Sequence, residues 1–253
     1  MDTAEHDPFR PRCVDELVGD WNPLFALLTN PTPPHIVLAG GPGSGKSCAA
    51  RILLGSTVTL WLRCSTDPSL RENRERIKAA ARRRTDDVTW IVLEHADLLH
   101  SDSQAFLRRI IETSTGSTRF LLEVRDLAAI AEPLLSRTTL VVAPVALKHE
   151  IRTEIMRRAP ACPIEIADRL AGQCEGNLRW AVLQGLGGGE GFIDEAMPAR
   201  SAVDKTWAST LAIMEQLQAT GTSPRVWLNL PTTLWERPGG ICVWATTAAS
   251  LIA

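Results

Sequence analysis

The stretch HIVLAGGPGSGKS, His35 to Ser47, constrains this chain more than any other. An apolar run, Ile36 to Ala39, passes into a glycine-rich turn and then into residues that open a helix. The turn satisfies G-x-x-x-x-G-K-[ST] in full, with Gly40, Gly45, Lys46 and Ser47. Phosphate binding accounts for each residue type. Gly40, Gly41, Gly43 and Gly45, with Pro42 and Ser44 among them, let the backbone turn its N–H groups around phosphate oxygens, and the helix that begins there with Cys48 adds its positive end. Lys46 then reaches the β- and γ-phosphates, and the Ser47 hydroxyl ligates Mg²⁺. ATP and Mg²⁺ are the expected cofactors.

From His35 onward, apolar runs alternate with helical patterns. Ile36–Ala39, Thr57–Leu62, Thr89–Leu93, Arg119–Val124 and Thr138–Val142 read as five strands. Their runs lack strict alternation, as in a parallel sheet covered on both faces. Helices are expected from Gly45 through Leu54, from Asp67-Pro68 through Arg84, from Asp102 to Ile111 and from Ile130 to Leu135. Pro144 closes this domain. Three short helical patterns follow (ALKHEIRTEIMRR, PIEIADRLAG, GNLRWAVLQG) and form a small lid. The glycine-rich Gly187–Gly191 is a break, and Val203–Gln218 is one further helix before a tail cut by Pro and Gly. The expected organisation is an αβα nucleotide domain over 1–144, a helical lid over 145–190 and a short helical region over 191–253.

A net charge of -2 gives no bulk attraction for nucleic acid or membrane, so any such contact needs a local patch. No apolar segment reaches membrane-spanning length, and the first residues lack the apolar run of a secretory leader. The six cysteines are scattered without metal-ligand spacing, the pattern of a reduced intracellular protein.

The third strand runs into Glu94, His95, Ala96 and Asp97. A carboxylate at this strand tip normally completes Mg²⁺ coordination, and Glu94 can still hold the ion's hydration shell. A second carboxylate would polarise the attacking water, and His95 stands in its place. Neutral histidine accepts a proton but brings no fixed negative charge. A slow site, a working variant and a structural histidine all remain open readings.

These segments resemble the small subunits of the replication factor C clamp loader, a subgroup of AAA+ proteins, over residues 7 to 186. Phe9, Arg10 and Pro11 match a Tyr-Arg-Pro segment that packs beside the adenine. LAGGPGSGKS matches the phosphate loop, and VLEHADLL matches a strand ending Asp-Glu-Ala-Asp. SQAFLRRIIE, Ser103 to Glu112, matches a family helix. Arg125 stands where a sensor Asn is usual. EPLLSRT matches the motif whose arginine, here Arg137, reaches a neighbour's ATP, and GNLRWAVLQ matches the lid motif whose arginine, here Arg179, senses the γ-phosphate. The resemblance implies an AAA+ P-loop NTPase fold. It implies other clamp-loader subunits in a hetero-oligomeric ring, a sliding clamp and primer-template DNA as partners, and no membrane. The implied location is the nucleus in a eukaryote and the cytoplasm otherwise. Glu94, His95 and Arg125 depart from the family at groups that act on the chain's own nucleotide, whereas Ser136 and Arg137, which act in trans, are intact. Arg125 could stabilise γ-phosphate charge, but it cannot orient water as an amide does. It could also simply fill the site by pairing with Glu94 or Asp97.

Arg71, Arg74, Lys78 and Arg82 fall on one side of the expected helix over 69–84, and Arg108 and Arg109 lie on the next. Such runs are either solvated faces or, as in the resembling family, sequence-independent contacts to the DNA backbone. The expected function is an ATP-binding clamp-loader subunit, weak in its own hydrolysis, with Arg137 acting in trans. The alternatives are an active AAA+ ATPase of another DNA-associated or remodelling assembly, and a degenerate paralogue without an assembly role.

Overall fold

The computed structural model describes residues 10–114 and 116–187. Phe9, the expected helix at 203–218 and the region 191–253 lie outside the described residues.

Five strands form one parallel sheet in the order β2-β3-β4-β1-β5. They are β1 Ile36–Ala39, β2 Val58–Arg63, β3 Thr89–Glu94, β4 Thr118–Val124 and β5 Thr139–Val142. β2 starts one residue later than expected because Gly55–Thr57 form a 3-10 turn, in which the Thr57 hydroxyl donates to the Leu54 carbonyl. β1 is buried at every position. Its register sets Leu38 against Glu123 and Ala39 against Val124 on β4.

Helices cover both faces, which is why the strands read as apolar runs. On one face α3 Arg74–Arg82 and α4 Ser101–Thr113 bury Ile77, Ala81, Leu107 and Ile111 against Val37, Ile91, Phe120 and Leu122. On the other, α1 Asn22–Leu28 and α2 Lys46–Leu54 bury Leu24, Ala49, Ala50 and Leu54 against Ile36, Leu38, Val92 and Leu121. The helix expected at Ile130 is a 3-10 turn at Leu127–Ala129 followed by the short α5 Glu132–Leu135.

The expected helix from Asp67-Pro68 is the clearest correction. Only Arg74–Arg82 is helical. Asp67 accepts from the backbone N–H of Arg71, the Ser69 hydroxyl and the Asn73 amide, which favours a turn over a helix. Leu70 adopts φ 52 while its side chain is buried, so the chain cannot be helical there. Arg71 therefore precedes the helix and does not share its face.

After β5, α6 Lys148–Arg158, α7 Ile164–Gln173 and α8 Leu178–Leu186 enclose a separate core of Ile151, Ile155, Leu170 and Ala181, among others. Asn177 caps α8 by accepting from the Trp180 N–H at 3.1 Å. On α6, Glu154 pairs with Arg157 and Arg158, and both arginines reach Glu16 at 3.6 and 3.7 Å, tying the lid to the N-terminal segment.

Candidate nucleotide site

The loop leaving β1 borders a cavity of about 400 Å³. Pro42 to Cys48, Arg10, Pro11, the tips of β3 and β4, and Arg179 from the lid all line it. The structure thus brings together most of the expected nucleotide residues. Gly40 and Gly41 serve differently, offering carbonyls to Lys46.

Two glycines are required by geometry. Gly45 has φ 91 and sets the start of α2. Gly43 has φ 71, and a Cβ there would stand 1.8 Å from the Asn177 side-chain oxygen. The start of α8 is therefore seated directly on the phosphate loop.

Lys46 is buried, and its ammonium donates to the carbonyls of Gly40 and Gly41, each at 2.7 Å. Burial lowers its pKa, with the nearby Glu123 opposing that shift. Ser47 donates its hydroxyl to Glu123 Oε2 at 2.5 Å. Glu123 is itself only 3 % exposed, and burial raises its pKa against the pull of the Ser47 hydrogen bond.

Glu94 is buried at the tip of β3 and engaged on both oxygens. Arg51 approaches Oε1 at 3.3 Å and Arg63 Nε donates to Oε2 at 3.1 Å. His95 follows in a left-handed conformation, φ 56 and ψ 45, which is uncommon outside glycine. Burial, and then Arg125, lower its pKa, favouring neutral imidazole. Arg125 lies 3.5 Å from His95 Nε2, and its backbone N–H donates to Asp97. The expected alternative of an Arg125–Glu94 pair is not what is found, because Arg51 and Arg63 hold Glu94. Cys48 lines the cavity as a packed thiol whose pKa burial raises, unlike an activated nucleophile.

A divalent cation fits this donor set. The Ser47 hydroxyl and the Glu123 carboxylate meet beside the loop, and Glu123 Oε1 has no hydrogen-bond partner. No group of three or more His, Cys, Asp or Glu able to hold a metal occurs among the described residues. Mg²⁺ takes one or two carboxylates and fills the remainder with phosphate and water.

Arg137 lies outside the cavity. It pairs with Glu112 at 2.6 Å and donates to the Pro133 carbonyl at 2.7 Å on an exposed surface. Of the six basic residues expected to meet DNA, Arg71, Arg82 and Arg109 are exposed. Lys78 pairs with Glu75 at 2.7 Å. Arg74 lies over the Phe106 ring at 5.1 Å, and Arg108 approaches Glu112 at 3.9 Å.

Sequence reasoning missed Arg51, Arg63, Glu123 and Asn177. Two carried a signal: Arg51 falls one helical turn beyond Ser47, and Glu123 is an acidic residue inside the apolar run RFLLEV. Arg63 meets Glu94 only through the β2–β3 register.

The sheet order, loop and helical lid give this chain the α/β fold of AAA+ P-loop NTPase domains. Among solved structures, Thermotoga maritima RuvB, a Holliday junction branch migration motor, shares this fold. One point variant of it matches with TM-score 0.59 and 15% identity over 89% of each chain. A second variant matches with TM-score 0.57 and 18% identity, covering 70% of this chain and 64% of that one.

In sequence, the chain is similar to replication factor C small subunits, as its motifs indicated. The Sulfolobus acidocaldarius protein is 34% identical over 147 residues, 53% of this chain and 45% of that protein. Small subunit 1 of Pyrobaculum islandicum is 28% identical over 195 residues, 70% of this chain and 59% of that protein. The chain thus spans about half the length of the curated relatives it matches. No family profile matches it. These relatives are archaeal, which gives no support to a nuclear location. Among the described residues, no helix is long and apolar enough to cross a membrane.

Proposed function

We propose that this chain is a nucleotide-binding subunit of a clamp-loader-like ring, which binds Mg-ATP, hydrolyses it slowly and offers Arg137 to a neighbour's nucleotide. In that role it joins other clamp-loader subunits, and the ring places a sliding clamp on primer-template DNA. The observation that carries this reading is the contrast at the two ends of the nucleotide machinery. The phosphate loop is complete and capped by the lid, whereas Glu94 is neutralised by Arg51 and Arg63. With His95 beside it in place of a carboxylate, neither residue at the tip of β3 offers a free fixed negative charge to polarise the attacking water.

The similarity to replication factor C small subunits supports the ring assignment over another AAA+ assembly. Arg71, Lys78, Arg82 and Arg109 would meet DNA through phosphates, without base readout. Titration of labelled ATP onto the isolated chain, followed by measurement of phosphate release, tests the reading. The expected result is binding that Lys46→Ala abolishes, with turnover near background. Rapid turnover that disappears in Lys46→Ala would leave the binding site standing and overturn the slow-hydrolysis assignment. Rapid turnover that persists in Lys46→Ala would overturn both.

A further inference from the structure

The carboxylate expected to serve the metal, Glu94, is already engaged. Both of its oxygens face guanidinium groups, Arg51 at 3.3 Å and Arg63 at 3.1 Å. A carboxylate so paired has little charge left for a further cation. A second carboxylate lies closer to the loop. β4 stands between β1 and β3 in the sheet, and its register sets Glu123 opposite Leu38, just before β1 runs into the phosphate loop.

Glu123 has the properties that Glu94 has lost. Its Oε2 accepts the hydroxyl of Ser47 at 2.5 Å, and that hydroxyl is the loop's own metal ligand. Its Oε1 is buried without a hydrogen-bond partner, an arrangement that is costly and occurs where a group awaits a ligand. The nearest ammonium does not satisfy it, because Lys46 directs its donors to the carbonyls of Gly40 and Gly41 and, at 3.4 Å, to Ser44. The same side chain lines the cavity beside Ser47.

We infer that Glu123, together with Ser47, forms the divalent-cation site of this pocket, the metal-binding carboxylate having moved from the tip of β3 to β4. The inference rests on the nucleotide-binding reading and deepens it. Glu123 and Ser47 would hold Mg²⁺ at the loop, where the ion would offset the negative charge of the phosphates. On the protein side, Ser47 would turn a lone pair to the ion and, keeping its proton, redirect its hydrogen bond from Glu123 Oε2 to water or a phosphate oxygen. Glu94 would stay in its ion pairs and hold β2, β3 and α2 together.

The experiment measures the affinity of a fluorescent ATP analogue with Mg²⁺ and with EDTA. For the unaltered chain, Mg²⁺ is expected to tighten binding at least tenfold. Glu123→Gln keeps the side chain's shape and an acceptor for Ser47. It should retain the EDTA affinity, or improve it because a buried negative charge is gone, and lose the Mg²⁺ enhancement. Mn²⁺ titration followed by electron paramagnetic resonance should show the same loss without reference to turnover. If Glu123→Gln does not fold, Glu123→Asp keeps the charge and withdraws it by one methylene. A fall of threefold or more in its enhancement upholds the assignment, and an unchanged enhancement overturns it. Enhancement preserved in Glu123→Gln overturns it as well. Equal affinity of the unaltered chain with Mg²⁺ and EDTA overturns the cation site while leaving nucleotide binding intact. No nucleotide binding in either condition overturns the functional reading itself.

Discussion

The guanidinium of Arg137 lies 2.6 Å from the carboxylate of Glu112, joining the turn after α5 to the last turns of α4. Gln104 fixes the other end of α4 to the same segment. Its amide donates to the carbonyls of Leu99 and Ala129, and its oxygen accepts from the Ala131 N–H at 2.7 Å. The arginine proposed for a neighbour's nucleotide and one of the residues proposed for DNA, Arg109 on α4, thus share one braced unit. Displacement of α4 by DNA would be felt at Arg137.

Arg137→Ala should leave nucleotide binding by the isolated chain unchanged. In a reconstituted ring with an active neighbour, it should lower that neighbour's ATPase rate by about 10³-fold or more, the range of arginine residues acting in trans. Glu112→Gln should lower the rate less, about three- to tenfold, because the guanidinium remains but loses its support. Both variants should unfold within about 1 kcal/mol of the parent, since the pair is half exposed. Steady-state ATPase of the assembled ring, beside chemical unfolding of each chain, checks all three statements. An unaltered neighbour rate in Arg137→Ala removes the trans role.

A methyl group at Gly43 is predicted to disturb the lid and the loop together. Its Cβ would meet the Asn177 oxygen, and φ 71 strains any residue with a side chain. Gly43→Ala should destabilise the chain by on the order of 1–3 kcal/mol and weaken ATP binding. Adding Asn177→Gly should relieve the collision and recover part of the loss, leaving the backbone strain. Thermal unfolding of the single and double variants separates the two contributions. Failure of the second change to recover anything would place the whole effect in the loop.

His35 makes stability depend on pH. Its Nδ1 accepts from the Phe120 N–H at 3.1 Å, and burial, with Arg119 nearby, holds its pKa at about 4 against an ordinary 6.5. The folded pKa is the lower one, so the unfolded chain takes up the proton first as pH falls. The contribution is complete above pH 6.5 and is lost between 6.5 and 4. It amounts to about 3 kcal/mol at most, from about 1.4 kcal/mol per unit. Denaturant unfolding at pH 7 and pH 5 should show the parent losing more stability than His35→Asn. Equal losses would assign the acid sensitivity to other groups.

The basic surface divides into two parts. Arg74 is half-buried over Phe106, so its removal affects packing, whereas Arg71 and Arg82 are exposed and Lys78 meets only an exposed glutamate. Neutralising Arg71, Lys78 and Arg82 together should leave stability nearly unchanged. The slope of log affinity against log salt for DNA should flatten by about 0.9 for each phosphate that is no longer neutralised. Binding of the assembled ring to duplexes of unrelated sequence provides the measurement. An unchanged slope would make these residues a solvated face.

The parts of this molecule visible in its sequence are those governed by local physics. Ile36–Ala39 reads as a strand because both sheet faces bury it, and Gly43, Gly45 and Lys46 read as a phosphate loop because only that backbone path demands them. Where distant residues set the outcome, the sequence was silent or misleading. The helix expected from Asp67 fails because Asp67 gathers the next turn around itself and Leu70 turns left-handed to stay buried. Glu94 gave no hint of its two arginines. Arg63 reaches it through strand register and Arg51 from a helix on the other side of the loop, relations that exist only after the sheet is assembled.

β1 pairs with β4 and β5, both of which come later in the chain than β2 and β3. During synthesis, the strand bearing the phosphate loop therefore has no neighbour until β4, which ends at Val124, has been added. At about 5–20 residues per second, that leaves an apolar, unpaired strand for on the order of 5–20 s. Open strand edges of this kind attract other chains. The phosphate loop thus emerges well before the strands that hold it in shape, and the yield of the chain in cells should respond to translation speed and to factors that shelter nascent chains.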